Sequence, residues 1–452
     1  MQPSTAPSDA PHGTLSPDGV TSGHGETDLL LQAGHAKASR ARVPSGRIPF
    51  SLRAFWQQWA PAIQAILPVY LALHLGIFLI NCLAFLFVVP DSSALILPVS
   101  TLWQEWLHWD AAHFIRIAEH GYTELYQMAF FPLYPLLERG VMTVTQDALI
   151  AGLLVSNVAE FILFVVLYRL IADDFDRERA SYSVLSLALF PSAFFLSAPF
   201  TESLFLCLAV LSFYNLRRAR WWSAALCGAL ASLTRPDGMY LAIPFCYEYL
   251  CRIWQRQGAQ PFSLLSRNQV LRLLKGIRFD ILIGLLFPAG IVLFMAYGYC
   301  QFHDPLAFVH AHASWNRSLH FPGWNMLKAL LVIVHHRFIS FLAMRSAIDL
   351  GTDLLVLGLI LSMFLGPWKL PKTLWSYAFY AAVTYLYFQI FPRFDGLLPL
   401  ESMSRFLLEI FPAFLMLARI GTYRTLNLCY CVISGSLFFF LLTQFLIGHW
   451  VP

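Results

Sequence analysis

The sequence predicts an all-α polytopic membrane protein, and three observations carry that prediction. Of 452 residues, 58% are hydrophobic and 15% aromatic, while only 12% are charged, against roughly 25% in an average soluble domain. The mean hydropathy is +0.60. Apolar runs approaching the length that crosses a bilayer, about 20 residues, recur along the chain, and about 11 transmembrane helices are expected.

Residues 1–50 are rich in Ser, Gly, Pro, Ala and His and contain no apolar stretch of signal-peptide type. They carry too little apolar surface to order themselves and read as a disordered cytoplasmic tail. Residues 51–452 then form one transmembrane domain. Its first span covers 62–89, and an external loop with surface helices follows over 91–147. The second span is 148–171, and further spans are expected at 180–198, 204–216, 222–233, 239–253, 279–299, 347–365, 374–391, 406–420 and 426–447. Segment 326–344 is apolar on one side but holds His335, His336 and Arg337 in its middle, so it reads as a surface or cavity helix.

The net charge of +4 is small, and the basic residues sit in short loops. That pattern argues orientation and excludes nucleic acid as a partner. Arg217, Arg218 and Arg220 fill one loop, and Arg256, Arg267, Arg272, Lys275 and Arg278 fill another that contains no acid. Both loops should be cytoplasmic. Among the eight cysteines, Cys82, Cys207, Cys227, Cys246, Cys429 and Cys431 lie in apolar runs without CxxC spacing and read as buried small apolar side chains.

With those loops inside, the polar loops left over all emerge on the opposite face. They carry Asp110, Glu202, Arg235, Asp237, Asp304, Arg317 and Arg405, more polar residues than plain turns need. One extracytoplasmic site assembled from distant segments accounts for them. In a helix, Asp110 would share a face with His113, one turn away, beside Trp109 and His108. Such a carboxylate against an apolar wall suits a general base.

Each residue also has a structural reading. Asp110 could clamp its loop to an arginine, and Glu202 could cap a helix together with Thr201. Arg235 and Asp237 could close a turn around Pro236 and Gly238, and Asp304 before Pro305 suits a helix start. Trp315 beside Arg317 suits a sugar face next to a phosphate, or an interface anchor. His108, Asp110 and His113 also allow a metal reading, with a divalent ion as the minor alternative, although their spacing is not a recognised zinc pattern. Glu160, inside the second span, is costly there and has a buried hydrogen-bonded pair as its default role.

The runs HWDAAHFIRIAEHGY, AFFPLYPLL, FLSAPFTESLF, SLTRPDG, HDPLAFVHAHASWNR and SRFLLEIFPAF occur in that order between residues 103 and 417. Together they resemble the PIG-V-type mannosyltransferases (GPI mannosyltransferase II) and their prokaryotic relatives. The resemblance implies a GT-C-type glycosyltransferase that takes mannose from a polyprenyl- or dolichyl-phosphate carrier and passes it to a glycolipid or glycan acceptor. The acidic residue of the first external loop is then the catalytic candidate, here Asp110. The donor is the lipid-phosphate sugar itself and no cofactor or metal is required; a small membrane subunit is allowed as a further partner.

Displacement of a β-linked lipid phosphate would invert the anomeric centre, and the departing phosphate calls for the guanidinium fork. Arg405, Arg317 and Arg235 are the candidates, in that order. The cell membrane follows as address from a prokaryotic source, which the short loops favour, and the endoplasmic reticulum membrane from a eukaryotic one. A GT-C enzyme using another lipid-linked sugar, a lipid or glycan transporter and a non-catalytic assembly subunit are the alternatives. No internal repeat of the transporter kind is visible.

Overall fold

The computed structural model describes residues 52–86, 100–256, 275–312, 319–337, 339–391, 398–449 and 451. The expected tail over 1–50, the start of the external loop, Trp315 and Arg317 lie outside them. The chain divides into Met1–Phe55, of which only the first residues of one helix are described, and Trp56–Pro452.

Among the described residues every regular element is helical. The helices of ten or more residues are α1 Leu52–Leu86, α2 Asp110–His120, α3 Leu133–Thr145, α4 Ala148–Asp174, α5 Arg177–Ala188, α6 Glu202–Leu216, α7 Trp221–Thr234, α8 Ala242–Arg256, α9 Ala289–Phe302, α10 Trp324–His335, α11 Phe341–Phe364, α12 Trp375–Ile390, α13 Phe411–Ile420 and α14 Arg424–Leu446. Local chemistry sets several starts. Asp147, Asp176 and Ser340 accept the backbone N–H three residues on and so cap α4, α5 and α11.

Among the described residues four helices, α1, α4, α11 and α14, are long and apolar enough to cross a bilayer; a fifth span results if Phe279–Leu286 and α9, bent by 50°, count as one broken crossing. This is fewer than the expected 11, for two physical reasons. Proline interrupts some apolar runs: Pro191 separates α5 from the 3-10 turn Ala193–Leu196, and Pro412 starts α13 late. Other runs, such as α6 with 15 residues and α7 with 14, rise only about 22 Å. α10, with 12 residues, ends at His335 before the break that precedes α11.

α6 is the centre of the body. It is apolar on nearly every side and packs against α4 and α7, as a helix without a polar face must. Residues 190–210 are buried without interruption, although 197–201 are not helical. Irregular backbone at such depth is tolerated where protein or a cavity surrounds it. α1 instead keeps Leu71 and Leu75 more than half exposed, a surface suited to lipid. The cysteine expectation needs correcting: Cys207 is buried, but Cys246 and Cys429 are exposed, because the outward faces of α8 and α14 bear them.

Candidate active site

The first wall of the site is the short polar loop helix. Trp109 takes φ 47° and ψ −114°, a strained conformation for a side chain with a Cβ. It turns the chain so that Asp110 opens α2. Gly121, at φ 76°, ends α2 with its N–H on the Ile117 carbonyl, a position suited to glycine. The apolar face of α2 buries Ala111, Phe114, Ile117 and Ala118, and Phe114 packs on Phe130 and Tyr134.

The second wall is the buried irregular segment before α6, which delivers Thr201 and Glu202. The third is the turn after α7. Gly238 makes it: a Cβ there would lie 2.4 Å from the Ser232 nitrogen, so only glycine lets this turn tuck under α7. Arg235 and Asp237 are placed by it. The fourth is the segment Met403–Phe406 before α13, which carries Arg405.

These segments meet in one charge network. Arg405 donates from Nη1 to Asp110 Oδ2 at 2.7 Å and approaches Glu202 Oε1 through Nε at 3.3 Å. Arg235 reaches the same Glu202 oxygen at 3.0 Å, Glu409 at 2.9 Å and Asp237 at 3.7 Å, and donates to Thr201 Oγ1 at 3.2 Å. The Arg405 guanidinium also lies over the rings of Phe195, Phe200 and Phe406 at 5.3 to 5.4 Å, a favourable seat for a cation. Glu202 and Glu409 are buried, while the Asp110 side chain keeps 22% of its surface exposed.

That exposed surface faces a cavity of about 450 Å³. Asp110, Arg235, Asp237, Arg405 and Trp109 line it together with Phe130, Phe131, Phe308, Tyr387, Phe388, His312 and Glu401. Aromatic walls with a few convergent charges are the usual composition of a small-molecule site. Arg235 is surrounded by three acids and acts as their counterion. Arg405 is shared between Glu202 and an acid that opens on the cavity, and so has the geometry to trade a carboxylate for another anion.

Other residues singled out from the sequence stand elsewhere. Asp304 pairs with His310 at 2.6 Å and accepts the Leu306 N–H; the imidazole hydrogen bond holds its carboxyl below the usual range. His113 leaves the cavity lining and packs against Phe130 and Tyr126. Burial pushes its imidazole below the usual range, against the pull of Asp110. His108 packs on Phe445 and Trp109 and is likewise pushed down by burial. Arg116 pairs with Glu124, not with Asp110, and Thr201 makes no side-chain cap on α6.

Sequence reasoning passed over Glu409, His312 and Glu401. Glu409 left a signal, an acid inside an apolar run.

Residues 92–318 match the mannosyltransferase (PIG-V) family. The GPI alpha-1,6-mannosyltransferase 2 of Homo sapiens is 31% identical over 216 residues, covering 44% of this chain and 41% of that one. The GPI mannosyltransferase 2 of Schizosaccharomyces pombe is 28% identical over 149 residues, 32% of each chain. The chain therefore spans well under two-thirds of the length of both relatives. An oligosaccharyltransferase from Archaeoglobus fulgidus aligns in structure with a TM-score of 0.41 at 11% identity, over 83% of this chain and 53% of that one.

Proposed function

The chain belongs to the mannosyltransferase (PIG-V) family, and on that premise we propose that it transfers mannose from a polyprenyl- or dolichyl-phosphate carrier to a glycolipid or other glycan acceptor, with Asp110 as general base. The observation that carries this reading is the Asp110–Arg405 pair, closed at 2.7 Å across 295 residues of sequence at the edge of an aromatic cavity.

Glycosyl transfer from a lipid phosphate has two electrostatic needs: a base for the acceptor hydroxyl proton and a cation for the departing phosphate. Asp110 and Arg405 supply one each. A donor phosphate would compete with Asp110 for the Arg405 edge. The carboxylate released from its guanidinium has an oxygen free to accept the acceptor hydroxyl's hydrogen. Donor arrival thereby arms the base. The phenylalanines and Trp109 offer apolar faces to the sugar ring and the first isoprene units. Direct in-line displacement of the carrier phosphate by the acceptor hydroxyl inverts the anomeric centre.

The face of the membrane is part of the proposal. The loop bearing Arg217 and Arg218 lies at the C-terminal end of α4, where these two arginines pair with Asp174 and Asp173. The cavity lies toward the other end, where Ser156 bonds the Phe200 carbonyl. By the positive-inside rule the site is extracytoplasmic.

The test is transfer of radiolabelled mannose from polyprenyl-phosphate mannose into a lipid extract, by wild type and Asp110→Asn side by side. Transfer by wild type alone is the expected result. Equal transfer by the variant removes Asp110 as base, and transfer only from another polyprenyl-phosphate sugar replaces mannose.

A further inference from the structure

Glu160 has no part in the reaction above, yet it is wholly buried halfway along α4, where an ionisable group is costly and needs a partner. Its surroundings define a charge state. His74, on α1, places Nδ1 3.0 Å from the Tyr70 carbonyl and Nε2 2.6 Å from Asn157 Oδ1. The Asn157 amide is oriented by two donations from Nδ2, to the Leu153 carbonyl at 2.7 Å and the Ser197 carbonyl at 3.1 Å. Its Oδ1 is therefore the atom that meets His74.

Both partners of the imidazole are acceptors only, so both ring nitrogens are placed to donate, and the Glu160 carboxylate is the counter-charge that lets the ring hold both hydrogens. A neutral ring would set a bare nitrogen against an oxygen lone pair. Turning the amide over would set Oδ1 against two carbonyls instead. The titratable groups facing His74 are Tyr70, whose ring is tilted 33° to it with centroids 4.0 Å apart, and Glu160, whose Oε2 lies 3.5 Å from Nε2. Glu160 Oε2 also accepts the Ser197 hydroxyl at 2.8 Å.

Ser197 stands in the irregular buried segment, five residues before Glu202. That segment is tied at its other end by Ser192, which donates to the carbonyl of Ser404, the neighbour of Arg405, at 2.7 Å. We infer that the imidazolium of His74 and the carboxylate of Glu160 form an ion pair within the membrane-spanning body that, through Asn157 and Ser197, positions Glu202 and hence Arg405. Glu160 and His74 are positioning residues. This role rests on the reading of Arg405 as the donor-phosphate partner; the ion pair itself does not.

The experiment is ¹⁵N-histidine NMR of the full chain in lipid vesicles at neutral pH, with the His74 signals identified by their loss in His74→Gln. Two protonated ring nitrogens are expected in wild type, and one in Glu160→Gln, where the neutral amide no longer supplies the counter-charge that holds the second proton on the ring. A bare nitrogen at His74 in wild type overturns the ion pair, whether or not the chain transfers mannose. Donor KM is then compared: Glu160→Gln should raise it about tenfold with kcat nearly kept, the pattern of a binding interaction lost, and Glu160→Asp should restore part of it. An unchanged KM in a variant that has lost its imidazolium overturns the positioning role. Should Glu160→Gln fail to insert, Asn157→Ala severs the same link and carries the same two outcomes.

Discussion

Two arginine networks stand toward opposite ends of α4 and differ in what their acids leave open. At the C-terminal end Arg217 grips Asp174 through Nε and Nη2 and donates from Nη1 to Glu248 and to the Thr373 carbonyl. Tyr377 donates to the same Asp174, and Ser376 to the same Glu248. Each acid is enclosed by donors, and the result is a brace between α4, α6, α8 and α12. At the cavity end Arg405 has the same kind of partners, but Asp110 turns part of its surface to the cavity. An enclosed carboxylate holds helices together, whereas one that opens on an aromatic cavity can exchange its partner.

The contrast predicts separable failures. Arg217→Ala strands two largely buried acids and should cost about 3–5 kcal/mol of stability, read as a lower melting temperature with transfer per folded molecule retained. Normal melting would show that the brace is dispensable. Asp110→Asn should do the reverse, lowering turnover about 100-fold with melting unchanged; turnover within a few-fold of wild type would return Asp110 to a loop clamp. Arg405→Ala should raise donor KM about tenfold or more, the loss of a charge-assisted contact, and an unchanged donor affinity would move the phosphate elsewhere.

A further effect concerns pH. Glu138, on α3 behind the cavity wall, is buried beside Gly152 and Tyr134, and burial pushes its carboxyl up to about 9. The folded state holds that proton more tightly than the unfolded chain does, so stability falls as pH rises from the ordinary carboxylate value of 4.5 toward 9. Glu138→Gln should flatten the melting temperature over that interval; a slope equal to that of wild type would show that Glu138 ionises freely.

Much of the site was legible because charge is conspicuous in an oily chain. Asp110, Glu202, Arg235, Asp237 and Arg405 stand out as polar residues in loops between apolar runs, and they do converge. Asp304 and His113 had equal claims on that ground, but neither lines the cavity. Asp304 found a local partner six residues away in His310, and His113 lies on the side of α2 that packs against Phe130. Glu409 stood as an acid inside a run read as a span, and only the fold showed that Arg235 is its partner. The count of eleven spans is not confirmed: among the described residues four helices, or five with the bent pair, have the length and apolarity to cross, while a helix such as α6, with 15 residues, is enclosed by its neighbours.

The sequence by itself determined the membrane class, the division into apolar segments and polar loops, and the roster of costly ionisable residues. These follow from composition and order, since an apolar run must leave water and an ionised group must find a partner. Only the tertiary structure decided which arginine meets which acid, that Arg235 is a counterion to three carboxylates while Arg405 shares an exposed one, and that His74 lies against Glu160. Such pairings join residues tens to hundreds of positions apart. They are set by how helices pack, and a charge alone does not specify its partner.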